Sequence, residues 1–243
     1  NQGTYTITPK TISSFTAGNK VYDGTTSANV AGAGIIDGDA VTISATGGFS
    51  SANVGNGITV NVTGVSLTGS DAGNYVISGG GNISTTANIT PAPLTVTATG
   101  ATKTYDGQAY SGGQGVSYSG FVNGESSSVL SGSLSYGGDS QGAVNAGSYT
   151  ITPGGLSASN YSISYVDGAL TINPVTLSLV TIQGRLTGLV SKVYDGSLTA
   201  TLAPGNYLLT GWVGSDGATV TKTSGTYDSV NVGQNKTVTV SLS

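Results

Sequence analysis

Lys20-Val21-Tyr22-Asp23-Gly24-Thr25 returns as Lys103-Thr104-Tyr105-Asp106-Gly107-Gln108 and again as Lys192-Val193-Tyr194-Asp195-Gly196-Ser197. The copies lie 83 and 89 residues apart in a chain with only seven cationic residues, so chance does not account for them. Self-similarity at a fixed period marks an array of small structural units. A second anchor follows each copy: Ala52-Asn53-Val54-Gly55, Val144-Asn145-Ala146-Gly147 and Val230-Asn231-Val232-Gly233. A third, Asn74-Tyr75-Val76-Ile77 and Asn160-Tyr161-Ser162-Ile163, leads to a proline exit at Ile89-Thr90-Pro91 and Ile172-Asn173-Pro174.

The order of anchors divides the chain into residues 10–92, 93–173 and 174–243, the last reaching Ser243 without an N-Y strand. Residues 1–9 read as the tail of a preceding unit, because Asn1 to Pro9 resembles Ala146 to Pro153. A unit of this length is small but can bury one modest core. Pro91-Ala92-Pro93 and Asn173-Pro174-Val175 pass directly from one unit to the next. Proline fixes φ and holds the residue before it extended, which favours end-to-end docking over the swinging of a Gly/Ser linker. If strands of about ten residues rise roughly 3.3 Å per residue, three units in line exceed about 100 Å.

Within each unit apolar and polar residues alternate, as in Ile58, Val60 and Val62 between Thr59, Asn61 and Thr63, or Leu94, Val96 and Ala98 between Thr95, Thr97 and Thr99. Val238, Val240 and Leu242 do the same in the last unit. Asp-Gly and Asn-Gly pairs punctuate these runs, supplying turns that need positive φ. Charged residues make up only 7%, whereas a disordered chain is rich in charge and poor in β-branched residues. The fold expected is all-β: tandem antiparallel β-sandwich modules of immunoglobulin-like type in an extended rod. The alternative is a β-grasp-like unit in which Gly124 to Leu130 forms a real helix.

The combination Lys-Val-Tyr-Asp-Gly-Thr, Ala-Asn-Val-Gly, Asp71-Ala72-Gly73-Asn74-Tyr75 and Ile89-Thr90-Pro91 resembles the YDG repeat. Residues 93–173 are similar to the related MBG repeat through Lys103 to Gly107, Gly120-Phe121-Val122-Asn123-Gly124-Glu125, Asn160-Tyr161 and Tyr165 to Leu170. The last unit departs from the pattern at Leu202 to Tyr207 and at Trp212-Val213-Gly214-Ser215, read as an insert. Such repeats occur in tandem in secreted bacterial surface adhesins of filamentous-haemagglutinin type. The resemblance implies an extracellular, cell-surface setting and a role in adhesion or biofilm formation. It implies no catalysis.

The candidate residues fit that expectation. Lys20, Tyr22, Asp23, Gly24, Lys103, Tyr105, Asp106, Gly107, Lys192, Tyr194, Asp195 and Gly196 read as structural turns, with Asp-Gly bending the chain and the Tyr ring packed beneath its own turn. Trp212, the single tryptophan, is either a core plug or a residue that stacks on a sugar ring. With no His and no Cys, the usual acid–base and thiol constellations are missing, and no enzyme is expected. Gly79-Gly80-Gly81 lacks the Lys and the helix of a phosphate loop. No cofactor is expected. Calcium is the one metal considered, through Asp37-Gly38-Asp39 and Ser70-Asp71, although Ca²⁺ takes six to eight oxygens. A Lys–Asn isopeptide cross-link between the first and second anchors is a further option. The expected partners are neighbouring repeats, with host or matrix glycans or proteins as the rival. The scattered lysines do not suit nucleic acid, and no apolar run approaches a membrane span. The leading expectation is a stalk or spacer; the rival is a glycan- or matrix-binding module.

Overall fold

A computed structural model describes residues 3–81, 83–175, 183–186, 188 and 190–241. Asn1 and Gln2 of the expected tail, the start of the third unit at 176–182, and Leu242 lie outside the described residues. The protein is all-β. Among the described residues the strands are separated by turns and four short 3-10 segments, and no helix is long and apolar enough to cross a membrane. The helix considered over Gly124 to Leu130 is a single 3-10 turn, Ser127–Val129, capped by the Ser126 hydroxyl.

The first repeat contains β1 (Lys10–Ile12), β2 (Ser14–Ala17), β3 (Lys20–Val21), β4 (Ser27–Ala28), β5 (Val30–Ala33), β6 (Thr42–Phe49), β7 (Gly55–Thr68), β8 (Tyr75–Ile77) and β9 (Ile83–Thr90). The second contains β10 (Ala92–Ala98), β11 (Ala101–Thr104), β12 (Val116–Ser119), β13 (Ser131–Gly137), β14 (Gly147–Ser157), β15 (Tyr161–Val166) and β16 (Gly168–Asn173). The third contains β17 (Gln183–Leu186), β18 (Thr199–Thr201), β19 (Tyr207–Thr210), β20 (Ser224–Tyr227) and β21 (Val238–Thr239).

By contacts the chain forms two compact units that do not follow the sequence repeats. One comprises Asn1–Ala101, Gly112–Gln141 and Thr150–Ala169; the other comprises Thr102–Ser111, Gly142–Tyr149 and Leu170–Ser243. In the first, β3-β9-β7-β6-β4 form a five-stranded sheet, β12-β10-β15 a three-stranded one, and β1-β8 and β2-β5 are paired ribbons. In the second, β17 pairs with β19, and β18-β20-β21 form a sheet.

The strictly antiparallel pattern expected from the sequence does not hold. β1 runs parallel to β8 with Lys10 opposite Tyr75, β10 runs parallel to β15 with Ala92 opposite Tyr161, and β3 runs parallel to β9. Alternation reports which face is buried but not strand direction. Parallel neighbours need a long crossover between them, and the opening strand and the N-Y strand of one repeat are separated by most of its length. In both repeats, therefore, the strand that opens the unit is zipped to the one carrying Asn-Tyr.

Two apolar clusters hold the first unit. Ile12, Phe15, Val62 and Tyr75 join β1, β2, β7 and β8. A larger cluster joins Tyr22, Phe49, Val60, Ala87 and Ile89 of the first repeat to Leu94 and Tyr161 of the second, with Val54, Phe121 and Val122 packed against it. One core thus runs through the Pro91-Ala92-Pro93 junction. Buried side chains alternate within β9 (Ala87 and Ile89) and within β10 (Ala92, Leu94, Val96 and Ala98), and the two consecutive exposed residues Thr90 and Pro91 shift the inward-facing phase by one position at the junction.

Candidate functional site

The three Y-D-G turns are built alike. Asp23, Asp106 and Asp195 each accept a backbone N–H two residues on, from Thr25 at 2.8 Å, Gln108 at 2.9 Å and Ser197 at 2.8 Å. The glycines between them have φ of 74°, 72° and 72°, a region where a Cβ is strained. Each turn is clasped by the lysine three residues before its aspartate. Lys20 Nζ lies 2.7 Å from Asp23 Oδ1 and donates to the Thr25 carbonyl at 2.7 Å. Lys103 meets Asp106 at 2.7 Å and the Gln108 carbonyl at 2.9 Å; Lys192 meets Asp195 at 2.6 Å and the Ser197 carbonyl at 2.6 Å. Lys20 and Lys192 also sit over the rings of Phe49 and Tyr227, 5.5 and 5.7 Å from the centroids. The lysine hydrogen bond, aided by backbone N–H donors, lowers the carboxyls of Asp23 and Asp195 to about 2 and holds that of Asp106 below its ordinary value.

The tyrosines do something else. Tyr22 is 5% exposed, yet it does not lie under its own turn. Its ring meets Tyr161 edge-on with centroids 5.5 Å apart, and its hydroxyl donates to Glu125 Oε1 at 2.6 Å, 103 residues along the chain. Tyr161 donates to the other oxygen of Glu125 and accepts the Val122 N–H at 3.1 Å. One carboxylate therefore receives a phenol from each repeat. Hydrogen bonding to Glu125 and burial raise the pKa of Tyr22, while burial and then Glu125 raise that of Tyr161.

Other anchors close on the same joint. Asn160 Nδ2 donates to Asn53 Oδ1 at 3.0 Å, and Asn160 Oδ1 accepts the Val54 N–H at 3.0 Å. The second anchor of one repeat thereby reads the N-Y anchor of the next. Asn123 Nδ2 donates to the Gly24 carbonyl at 3.3 Å. A Cβ added at Gly24 would meet Asn123 Cβ at 2.7 Å, so glycine is required for close approach as well as for φ.

The second unit holds half of this arrangement between its own residues, since Asp216 takes one phenol and Tyr207 donates instead to the Lys222 carbonyl at 2.8 Å. Tyr105 donates to Asp216 Oδ2 at 2.7 Å, and that bond raises its pKa. Gly107 lies opposite Val213, where an added Cβ would come within 3.4 Å of Val213 Cγ1.

Glu125 and Asp216 belong to a recurring turn that the repeat anchors do not reveal: Gly34-Ile35-Ile36-Asp37-Gly38-Asp39, Gly120-Phe121-Val122-Asn123-Gly124-Glu125 and Gly211-Trp212-Val213-Gly214-Ser215-Asp216. The opening glycines have φ of 109°, 118° and 100°. In each, the acidic residue's N–H donates three residues back, Asp39 to Ile36 at 3.1 Å, Glu125 to Val122 at 3.0 Å and Asp216 to Val213 at 3.1 Å. In the first repeat Asp39 accepts Tyr75 at 2.6 Å, and Tyr75 accepts the Ile36 N–H at 2.8 Å, matching Glu125, Tyr161 and Val122. The stretch read as an insert at Trp212 is therefore this turn, with Trp212 where Ile35 and Phe121 stand. Trp212 is half-buried beside a cavity of about 440 Å³ that Pro204, Tyr207 and Leu208 also line.

A family profile of the YDG domain matches residues 8–85 and 173–243, more than half of the chain. The chain belongs to the YDG domain family. Between its two YDG segments, residues 94–171 match the MBG domain of YGX type. No curated protein sequence matches. Among solved structures, a cell surface adhesin from Lactobacillus reuteri is similar at 24% identity over 35% of this chain and 99% of that one, with a TM-score of 0.26. The YDG and MBG segments meet at the Tyr22–Glu125 joint, where a recess of about 330 Å³ opens between Asn53, Glu125, Ser131 and Asn160.

Two of the acidic groups considered for calcium, Asp39 and Asp71, are engaged within the protein. Asp39 takes Tyr75, and Asp71 Oδ2 accepts the Ala40 N–H at 2.8 Å. Among the described residues no group of three or more His, Cys, Asp or Glu side chains is arranged to hold a metal ion. For the isopeptide, Lys20 Nζ is hydrogen-bonded to Asp23 and Thr25, and Asn53 to Asn160.

Proposed function

We propose that this chain is a non-catalytic spacer from the stalk of a secreted bacterial surface adhesin, carrying a binding tip away from the cell and so supporting adhesion and biofilm formation. Membership of the YDG family, joined to an MBG segment, supports the setting. The observation that carries the mechanical reading is the joint: Tyr22 of one repeat and Tyr161 of the next share the Glu125 carboxylate above a core common to both. A spacer must transmit position and force, and a junction closed by burial and charge-assisted hydrogen bonds does so, where a flexible linker would not. Each Y-D-G residue has a part in the joint. Lys and Asp shape the turn, Gly allows approach, and Tyr docks.

A spacer whose three repeats stand in line would have a maximum dimension above about 100 Å, the result this reading expects from small-angle scattering. A compact particle would remove the spacer reading. Glycan-array screening addresses the rival, since saturable binding abolished by changing Trp212 or its neighbours would turn the chain into a recognition module.

A further inference from the structure

Asn-Gly occurs at Asn56-Gly57 and at Asn123-Gly124. In such a pair the glycine nitrogen, unshielded by any Cβ, can attack the asparagine Cγ, the chemistry that makes asparagine a thermolabile residue. All four residues are exposed, so access to water does not separate the pairs. The backbone does. Asn56-Gly57 lies inside β7, at the register shift between Gly55 and Ile58, and the Gly57 N–H donates to Asn88 Oδ1 at 2.8 Å. The nucleophile there is occupied, and the sheet holds it.

Asn123-Gly124 instead forms the centre of the turn that presents Glu125. φ is 51° at Asn123 and 75° at Gly124, both positive as a type I′ turn requires, and the Glu125 N–H closes the turn on the Val122 carbonyl. The Gly124 N–H has no acceptor among the described residues. Space around the glycine is open, since a Cβ added there would meet nothing within 4 Å. The Asn123 side chain is held by the hydrogen bond from Nδ2 to the Gly24 carbonyl, at 3.3 Å longer than the usual N–H···O distance.

We infer that Asn123 is a site of spontaneous deamidation set into the joint, so that the joint loosens as the protein ages. The Gly124 nitrogen bonds to Asn123 Cγ and gives up its proton, the Cγ–Nδ2 bond breaks, and ammonia leaves. Water then opens the cyclic imide to aspartate or isoaspartate. Water is the only co-reactant, and nothing is oxidised or reduced. The product puts a negative charge where a donor had faced the Gly24 carbonyl, two residues before Glu125. An acceptor then faces an acceptor, and the contact that holds Gly24 against the second repeat becomes repulsive. An isoaspartate link also lengthens the backbone by one carbon within the turn that positions Glu125. The chemistry stands on the turn alone; its consequence rests on the proposed reading that this joint closes one repeat on the next.

Prolonged incubation of the full chain in warm, mildly alkaline buffer, followed by peptide mapping with mass spectrometry, tests it. The mass gain of amide-to-acid conversion, with an isoaspartate form, is expected at Asn123 while Asn56 stays unconverted. In the urea-unfolded chain both pairs should convert alike. Asn88→Ala, which frees the Gly57 N–H, is expected to bring on conversion at Asn56, and Asn123→Gln, whose imide ring would be larger, to abolish it in the turn. Asn123→Asp, made directly, is expected to lower the ratio of closed to open joint about tenfold, read as a lower urea midpoint and a smaller coupling between Tyr22 and Glu125. An Asn123 that stays unconverted, or equal conversion of both pairs in the folded chain, overturns the inference. An Asn123→Asp protein as stable as the parent, with its coupling intact, overturns the loosening. If Tyr22 and Glu125 are uncoupled in the unaltered chain, the reading of the joint fails, and the site stands or falls by its masses alone.

Discussion

Replacing Glu125 by Ala removes the acceptor of two phenols, Tyr22 and Tyr161, each only 5% exposed. A buried donor left without a partner costs about 1–3 kcal/mol. The two sites differ in access to water. Tyr161 lines the recess of about 330 Å³ and regains a water partner when the carboxylate is gone, whereas Tyr22 does not line it. The expected loss is therefore about 2–3 kcal/mol, mostly from Tyr22. Glu125→Gln keeps an acceptor without its charge and, with bonds about half as strong, should lose about 1 kcal/mol. Tyr22→Phe keeps the edge-on ring contact and removes one bond to a charged group, about 1.5 kcal/mol. In the Glu125→Ala background the same change removes an orphaned hydroxyl and should cost nothing or stabilise. Urea unfolding followed by far-UV circular dichroism on the four members of the cycle measures the coupling. Additive losses, or a Glu125→Ala protein within about 0.5 kcal/mol of the parent, would refute a joint across the repeats.

Gly24→Ala and Gly196→Ala impose the same φ strain, about 1–2 kcal/mol, but only Gly24 faces a neighbour at 2.7 Å, so its substitution should cost measurably more in the same unfolding assay. Leu94→Ala empties a fully buried position of the shared core and should cost about 2–5 kcal/mol in a transition that carries both the first repeat and β10. Carboxyl NMR should place the Asp23 and Asp195 midpoints near 2, with Lys192→Met returning Asp195 toward its ordinary value. Because these pKa values are depressed on folding, their stabilisation is present above the ordinary carboxylate range and fades as pH falls toward 2. The raised phenols act in the opposite sense: stability is intact below the ordinary tyrosine pKa of 10 and declines as pH rises beyond it, which alkaline unfolding of the parent and Tyr22→Phe proteins would separate.

The all-β character was legible because turn pairs and period-two runs report burial directly, and the three anchors marked a repeating unit. The direction of the strands was not, since alternation looks the same in parallel and antiparallel neighbours; the β10–β15 pair shows the difference. Lys20, Asp23 and Gly24 could be read as a turn from local chemistry. Tyr22 could not be placed, because its partner lies 103 residues away in another repeat and no local pattern encodes that. The acidic turn was readable in principle from the positive-φ glycine followed by two apolar residues. Its acid stands five residues after that glycine in all three copies but hid behind differing residue types and differing distances from the Y-D-G turn, with Asp39 considered for calcium and Trp212-Val213-Gly214-Ser215 read as an insert.

The central claim is that the first repeat and the part of the second that carries Glu125 and Tyr161 behave as one body. Backbone ¹⁵N relaxation of the intact chain tests it most directly, by comparing the tumbling of residues 10–92 with that of residues 93–101, 112–141 and 150–169. One common rotational diffusion tensor is predicted for both, splitting into two when Glu125 is replaced by Ala. Independent, faster tumbling of the two repeats in the unaltered protein would contradict it.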